Sequence, residues 1–183
     1  MTRRTVDQIA NELRTFGRNL HAAHEAFGVN QAGFPAISGF DHAMINLIES
    51  GKRAPRFETL LKLARAARVR PADLLDGIGH FPQPLQMPEG HELDETAGAR
   101  FGFNLKWARK RADMTHAQLW SAANVDRSLI SDWEKGKREP NLRTILKLAR
   151  ALALPPAVLL HGVEFEMDSD RYPEHAAPSP DVQ

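Results

Sequence analysis

The chain has 183 residues, room for one medium domain or two small ones, and its formal net charge of +1 points by itself to no polyanionic partner. With 42% hydrophobic and 26% charged residues its composition is that of an ordinary globular protein. The absence of cysteine excludes disulfides and thiolate-ligated zinc.

The opening stretch, MTRRTVDQIANELRTFG, carries Arg3 and Arg4 but no apolar run after them, unlike a signal peptide. These arginines read as a frayed terminus rather than a groove-binding arm. No uncharged apolar stretch approaches the roughly 20 residues that span a bilayer, so the expectation is a soluble, cytoplasmic protein without membrane contact.

The sequence repeats itself. GKRAPRFETLLKLARA from Gly51 returns as GKREPNLRTILKLARA from Gly136, FGRNL from Phe16 as FGFNL from Phe101, and PADLLDG from Pro71 as PAVLLHG from Pro156. All three pairs lie 85 positions apart, and about 25 of roughly 62 aligned positions are identical. The organisation read from this is an N-terminal unit at 1–78, a linker at 79–98, a second unit at 99–162 and an acidic, disordered tail at 163–183. The linker and tail are rich in proline and acid. The basic charge is confined: residues 99–162 hold 12 Lys/Arg against 5 Asp/Glu, a net +7, while residues 16–77 hold 8 against 6, a net +2.

In the first unit, His21 and His24 stand one helical turn apart, a spacing that can hold a metal. With no cysteine and no aligned partner in the second repeat, they are read as no metal site. Gln31 precedes AGFPAIS, where Gly33 and Pro35 fall inside what should be a short helix. An interior proline costs about 3 kcal/mol and glycine about 1, so this helix is expected to be bent, shortened or displaced. Gly39 suits a tight turn. The next helix presents Asp41, His42, Ala43 and Asn46, with no basic residue, and Lys52 and Arg53 follow in a loop.

In the second unit, Phe101, Leu105 and Ala108 share one face of an amphipathic helix. Thr115 stands at the N-cap of HAQLWSAA, and Asn124, which enters the left-handed region readily, takes the place of Gly39. Asp126 can cap RSLISDWE, with Ile130 and Trp133 inward and Arg127, Ser128, Ser131 and Asp132 outward. Gly136 ends that helix. Lys137 and Arg138 lie in the loop, Leu142, Ile145, Leu146, Leu148 and Ala149 fill the core from a fourth helix, and PPAVLL opens a fifth. Trp107, Trp120 and Trp133 read as core or interface.

The helix at Thr115 with Leu119, the turn at Asn124, RSLISDWEKGKREP and ILKLARAL closely resemble the helix-turn-helix domain of the Cro/phage-repressor (XRE) family. The resemblance covers each whole repeat, about two thirds of the chain. It implies an all-α fold: two five-helix Cro/repressor-like helix-turn-helix domains joined by a Pro-rich linker. In such domains the second helix of the pair lies in the major groove while the other braces the backbone. Carried over, Arg127, Ser128 and Asp132, with Ser131 nearby, face bases, arginine suiting guanine. Thr115 and His116 match positions that meet phosphate, though a glutamine is common where His116 stands. Lys137 and Arg138 match backbone contacts. Arg109 and Glu134 match a structural ion pair. Gln31, His42, Asn46, Lys52 and Arg53 are the corresponding secondary set in the first repeat, where His24 and Glu49 replace the ion pair.

The implied function is a sequence-specific transcriptional regulator of double-stranded DNA, nucleoid-associated, with reading concentrated in the second repeat and the first serving pairing or positioning. Palindromic operators suggest a homodimer, with a covalent pseudo-dimer of the two repeats over both half-sites as the alternative. No nucleophile and base set or phosphate-cradling loop points to an enzyme, and no cofactor is implied. The rival reading is a protein-interaction regulator, anti-activator or antitoxin-like, with a protein partner on the helix-turn-helix surface or through the first repeat.

Overall fold

The computed structural model describes residues 3–79 and 96–163. Those residues are helical apart from turns and one isolated bridge. Most of the segment read as linker, at 80–95, and the tail from 164 onward lie outside the described residues.

The first repeat comprises α1 (Arg3–Ala26), α2 (Phe34–Ser38), α3 (His42–Glu49) and α4 (Phe57–Ala66), closed by a 3₁₀ turn at Asp73–Leu75. The second comprises α5 (Ala97–Arg111), α6 (His116–Ala123), α7 (Arg127–Glu134), α8 (Leu142–Ala151) and α9 (Pro156–Leu159). At the 85-residue offset α3 matches α7 and α4 matches α8 end for end, while the fifth element is a 3₁₀ turn in one copy and an α-helix in the other. The shared asparagine of FGRNL and FGFNL has one job in both. Asn19 Nδ2 donates to the carbonyls of Leu74 and Asp76 at 3.1 and 2.9 Å, and Asn104 Nδ2 donates to those of Leu159 and His161 at 3.2 and 2.8 Å. The side-chain amide thereby ties the first helix to the end of its own repeat and satisfies carbonyls that a short helix leaves open.

Two differences from the sequence expectation stand out. The backbone at Arg3 and Arg4 is helical rather than frayed. In the repeat frame α5 starts opposite Glu12, so α1 reaches further upstream. Ile9 and Leu13 of this upstream half are buried, and Arg150 Nη2 of α8 donates to Glu12 Oε1 at 2.7 Å. The upstream half of α1 is thus held by the second repeat. The other difference is α2, which is shortened, as expected. Its aligned partner α6 starts at the position of Gln31, but α2 starts only at Phe34, which leaves Pro35 in the first turn, where its missing N–H costs nothing.

The two repeats share one hydrophobic core. Arg56 and Asn141, which are the same position of the repeat, face each other in an antiparallel bridge, and the Leu142 amide donates to the Pro55 carbonyl at 3.0 Å. Phe57 meets Phe101 edge to face, with centroids 5.6 Å apart, and α9 packs on the 3₁₀ turn to which it corresponds. Like-with-like contact of aligned positions is the mark of an isologous, two-fold interface. Here the two-fold relates halves of one chain.

Gly17 and Gly102 mark where helices one and three of each repeat close on each other. A Cβ on Gly17 would collide with the Glu49 carbonyl oxygen, and one on Gly102 with that of Trp133. Alanine for glycine in a helix interior normally stabilises by about 1 kcal/mol. At Gly102 the sign is expected to invert, with Gly102→Ala losing about 1–3 kcal/mol through overpacking against backbone, measured by urea denaturation.

Candidate nucleic-acid interface

The surface that the sequence singled out is built on α6, the turn after it and α7. Thr115 caps α6 in a complete capping box: its Oγ1 accepts from the Gln118 amide at 3.2 Å, and its own amide donates to Gln118 Oε1 at 2.7 Å. The same hydroxyl donates to Gln118 Oε1 at 2.9 Å, so Thr115 is occupied in holding the helix end. Asn124 adopts the left-handed conformation, φ 49° and ψ 58°, and turns the chain into α7. Lys147 Nζ on α8 donates to the Asn124 carbonyl at 3.3 Å and pins that turn.

Asp126 caps α7, accepting from the Ser128 amide at 2.9 Å and from Ser128 Oγ at 2.8 Å. These two bonds hold its carboxyl below the ordinary range. Ile130 and Trp133 are buried beneath the helix, Arg127 and Ser128 are exposed, and Ser131 and Asp132 are half-buried. Lys137 and Arg138 are exposed in the following loop, where Arg138 Nε lies 3.5 Å from Asp132 Oδ2. Asp132 is therefore partly neutralised from the loop rather than facing outward as a lone anion. Arg127 has no such neighbour among the described contacts.

Glu134, the last residue of α7, is the hub. Arg109 Nε and Nη2 donate to its two carboxylate oxygens at 2.6 and 2.9 Å, while Arg109 Nη1 donates to the Met114 carbonyl at 2.9 Å. His116 Nε2 sits 2.9 Å from Glu134 Oε2. Burial pushes the Glu134 carboxyl up, but the bonds from Arg109 and His116 outweigh it and leave the group below its usual value. One arginine thus joins α5, the entry to α6 and the end of α7. His116 belongs to this brace through its ring Nε2, while its side chain stays 48% exposed.

The first repeat rebuilds the brace with other residues. His24 stands where Arg109 does, with Nδ1 2.7 Å from the Val29 carbonyl and Nε2 2.9 Å from Glu49 Oε1. Gln31 Nε2 donates to Glu49 Oε2 at 3.1 Å and to Asn46 Oδ1 at 3.0 Å. Two members of the secondary set, Gln31 and Asn46, are thereby bonded to each other. His42, Lys52 and Arg53 are exposed. On the same repeat Leu47 of α3 is 39% exposed and Ile37 of α2 50% exposed. Their aligned residues in the second repeat are Asp132 and Ala122, so the first repeat carries bulky apolar side chains where the second has a carboxylate and a single methyl. Sequence reading missed Gln118, although Thr-x-x-Gln is a legible capping-box signature, and Lys147, whose link to Asn124 has no local signal.

A capped helix, a left-handed turn and a second helix braced from a third define a helix-turn-helix protein. The family model described as Helix-turn-helix matches residues 22–74 and again 105–159, more than half of the chain, and the chain belongs to that family, of the XRE/Cro type. Over 79 residues it is 28% identical to the HTH-type transcriptional regulator DicA of Escherichia coli (strain K12), a match covering 43% of this chain and 55% of that protein. The chain thus spans about half the length of this curated relative. A crystal structure of the restriction-modification controller protein C.AhdI from Aeromonas hydrophila is 34% identical, the match covering 33% of this chain and 92% of that one at a TM-score of 0.33. Among the described residues no helix is long and apolar enough to cross a membrane.

The lowered carboxyl of Glu134 sets a pH signature. Its contribution to stability is fully present above the ordinary value of 4.5 and is lost as pH falls through the depressed folded value. Urea denaturation between about pH 5 and about pH 3 is expected to show a shallower loss of stability for Glu134→Gln than for the unaltered chain. Arg109→Met, which strands the carboxylate under only 6% side-chain exposure, is expected to cost about 3 kcal/mol at neutral pH.

Proposed function

We propose that this chain is a non-enzymatic regulator of transcription that binds double-stranded DNA through α7, with the two repeats acting as a covalent pseudo-dimer. The observation that carries the reading is the braced α6–α7 unit: Arg127 is exposed, without an ion-pair partner among the described residues, at the start of a helix whose far end is locked by Arg109 and Glu134. In this reading α7 enters the major groove. Arg127 reads guanine through its two-pronged fork, and Ser128, Ser131 and Asp132 line the same face. Thr115 and His116 present the amides at the start of α6 to phosphate, and Lys137 and Arg138 meet the backbone from the loop. These backbone contacts set affinity and its salt dependence rather than sequence choice.

The pseudo-two-fold supports one chain covering both halves of an operator. That pairing within the chain takes the place of the homodimer that operator symmetry would otherwise require. The halves are unequal. Asn46 is engaged by Gln31, and His42, Lys52 and Arg53 offer little base discrimination, so α3 positions the molecule over a half-site that it reads weakly. A second reading, a protein partner on the first repeat, is favoured by the exposure of Ile37 and Leu47.

Selection from a genomic fragment pool across a salt series is the test. The expected result is an enriched motif with base information concentrated in one half, one chain per site in sedimentation, and affinity falling steeply with salt. No enrichment at low salt would overturn DNA binding, and two chains per site would overturn the pseudo-dimer. Arg127→Ala is expected to relax preference in the informative half at a cost of about 1–3 kcal/mol, whereas His42→Ala changes selection little.

A further inference from the structure

We propose that His21, His24 and Glu49 form a binding site for a divalent transition-metal ion of the zinc type. His21 and His24 lie one turn apart on α1, and the packing of α1 on α3 brings the last residue of α3, Glu49, up to both rings. One donor atom from each of the three lies within 4.8 Å of the others. Glu49 Oε1 is 2.9 Å from His24 Nε2 and 3.4 Å from His21 Nδ1. Two donors about 2.1 Å from a tetrahedral zinc ion stand about 3.4 Å apart, so the His21–Glu49 pair has the spacing of two ligands and the His24–Glu49 pair needs to open by about half an ångström.

The far side of each ligand is held as metal ligands usually are. His24 Nδ1 lies 2.7 Å from the Val29 carbonyl, the geometry in which an N–H on that nitrogen donates and leaves Nε2 to the site. His21 Nε2 lies 3.3 Å from Glu25 Oε1, a carboxylate behind an imidazole. Glu49 Oε2 accepts from the Gln31 amide, which leaves Oε1 for the site. His24 and Glu49 are nearly enclosed, whereas the His21 side chain is 40% exposed, so an ion can enter past His21 and keep water as its remaining ligand.

The second repeat shows what the cation replaces. Arg109 occupies the position of His24 and binds the equivalent carbonyl and carboxylate with a permanent charge. In the first repeat His24 and His21 leave room for a metal at the clamp between α1 and α3, so occupancy of the site governs how firmly α3 is held. Nitrogen and carboxylate donors suit zinc, nickel or copper over magnesium or calcium. The inference does not depend on DNA binding.

The experiment is titration of the metal-free full chain with cobalt(II) and zinc(II), following cobalt absorption, calorimetric stoichiometry and thermal stability. Expected are one ion per chain, a tetrahedral cobalt spectrum quenched by zinc, and a raised melting temperature. His21→Ala, at a half-exposed position, and His24→Arg, which installs the arginine of the second repeat, should each fold and lose at least about tenfold in affinity. His161→Ala, on the exposed surface of the second repeat, should bind as the unaltered chain does. Failure of the unaltered chain to bind zinc, or full affinity in folded His21→Ala, overturns the site. Should His24→Arg not fold, the His21→Ala result decides.

Discussion

The molecule depends on the seam at Arg56 and Asn141, where a repeat meets its own copy position for position. Each repeat is about 60 residues, a size at which a single core is marginal because too large a share of the chain remains at the surface. Across the seam Phe57 covers Phe101, the upstream half of α1 reaches α8, and one core serves both halves. A chain this short thereby gains the burial of a domain twice the size of one repeat. The covalent connection also removes the concentration dependence that an association of two separate chains would carry.

The second constraint is the clamp between the first helix and the end of the third. It appears in both repeats with the same carboxylate, Glu49 or Glu134, and the same backbone carbonyl, Val29 or Met114. The side chain that joins them differs, arginine in one repeat and histidine in the other. Arginine offers two parallel bonds and a charge independent of pH. Histidine offers one ring nitrogen to each partner. The surrounding residues follow that choice: Phe34 stacks on the His24 ring at 4.5 Å in the first repeat, where the second has Leu119.

The division between the repeats follows from these details more than from net charge. Pro35 shortens α2, Gln31 is drawn inward to Glu49 and Asn46, and Ile37 and Leu47 are left at the surface. In the second repeat a full-length α6 closed by a capping box leads into α7 with an exposed arginine at its start. Both units keep the scaffold downstream of the third helix nearly unchanged, since α4 and α8 must supply the shared core and the seam.

By itself the sequence determined the local chemistry: caps at Thr115 and Asp126, the left-handed turn at Asn124, and the buried faces of α7 and α8. The pairing of Arg109 with Glu134 came from the family resemblance, and the repeat carried it onto His24 and Glu49. The former rest on contacts within a turn, the latter on positions matched to the family's pattern. Only the tertiary structure decided that the two repeats bind each other, that the upstream half of α1 is held by Arg150, and that His116, Gln31 and Asp132 are engaged by neighbours from other elements. It also carried Glu49 to His21, making three donors of what the sequence offered as a pair. None of these contacts has a period or a motif, because each joins side chains whose separation along the chain is unrelated to their separation in space.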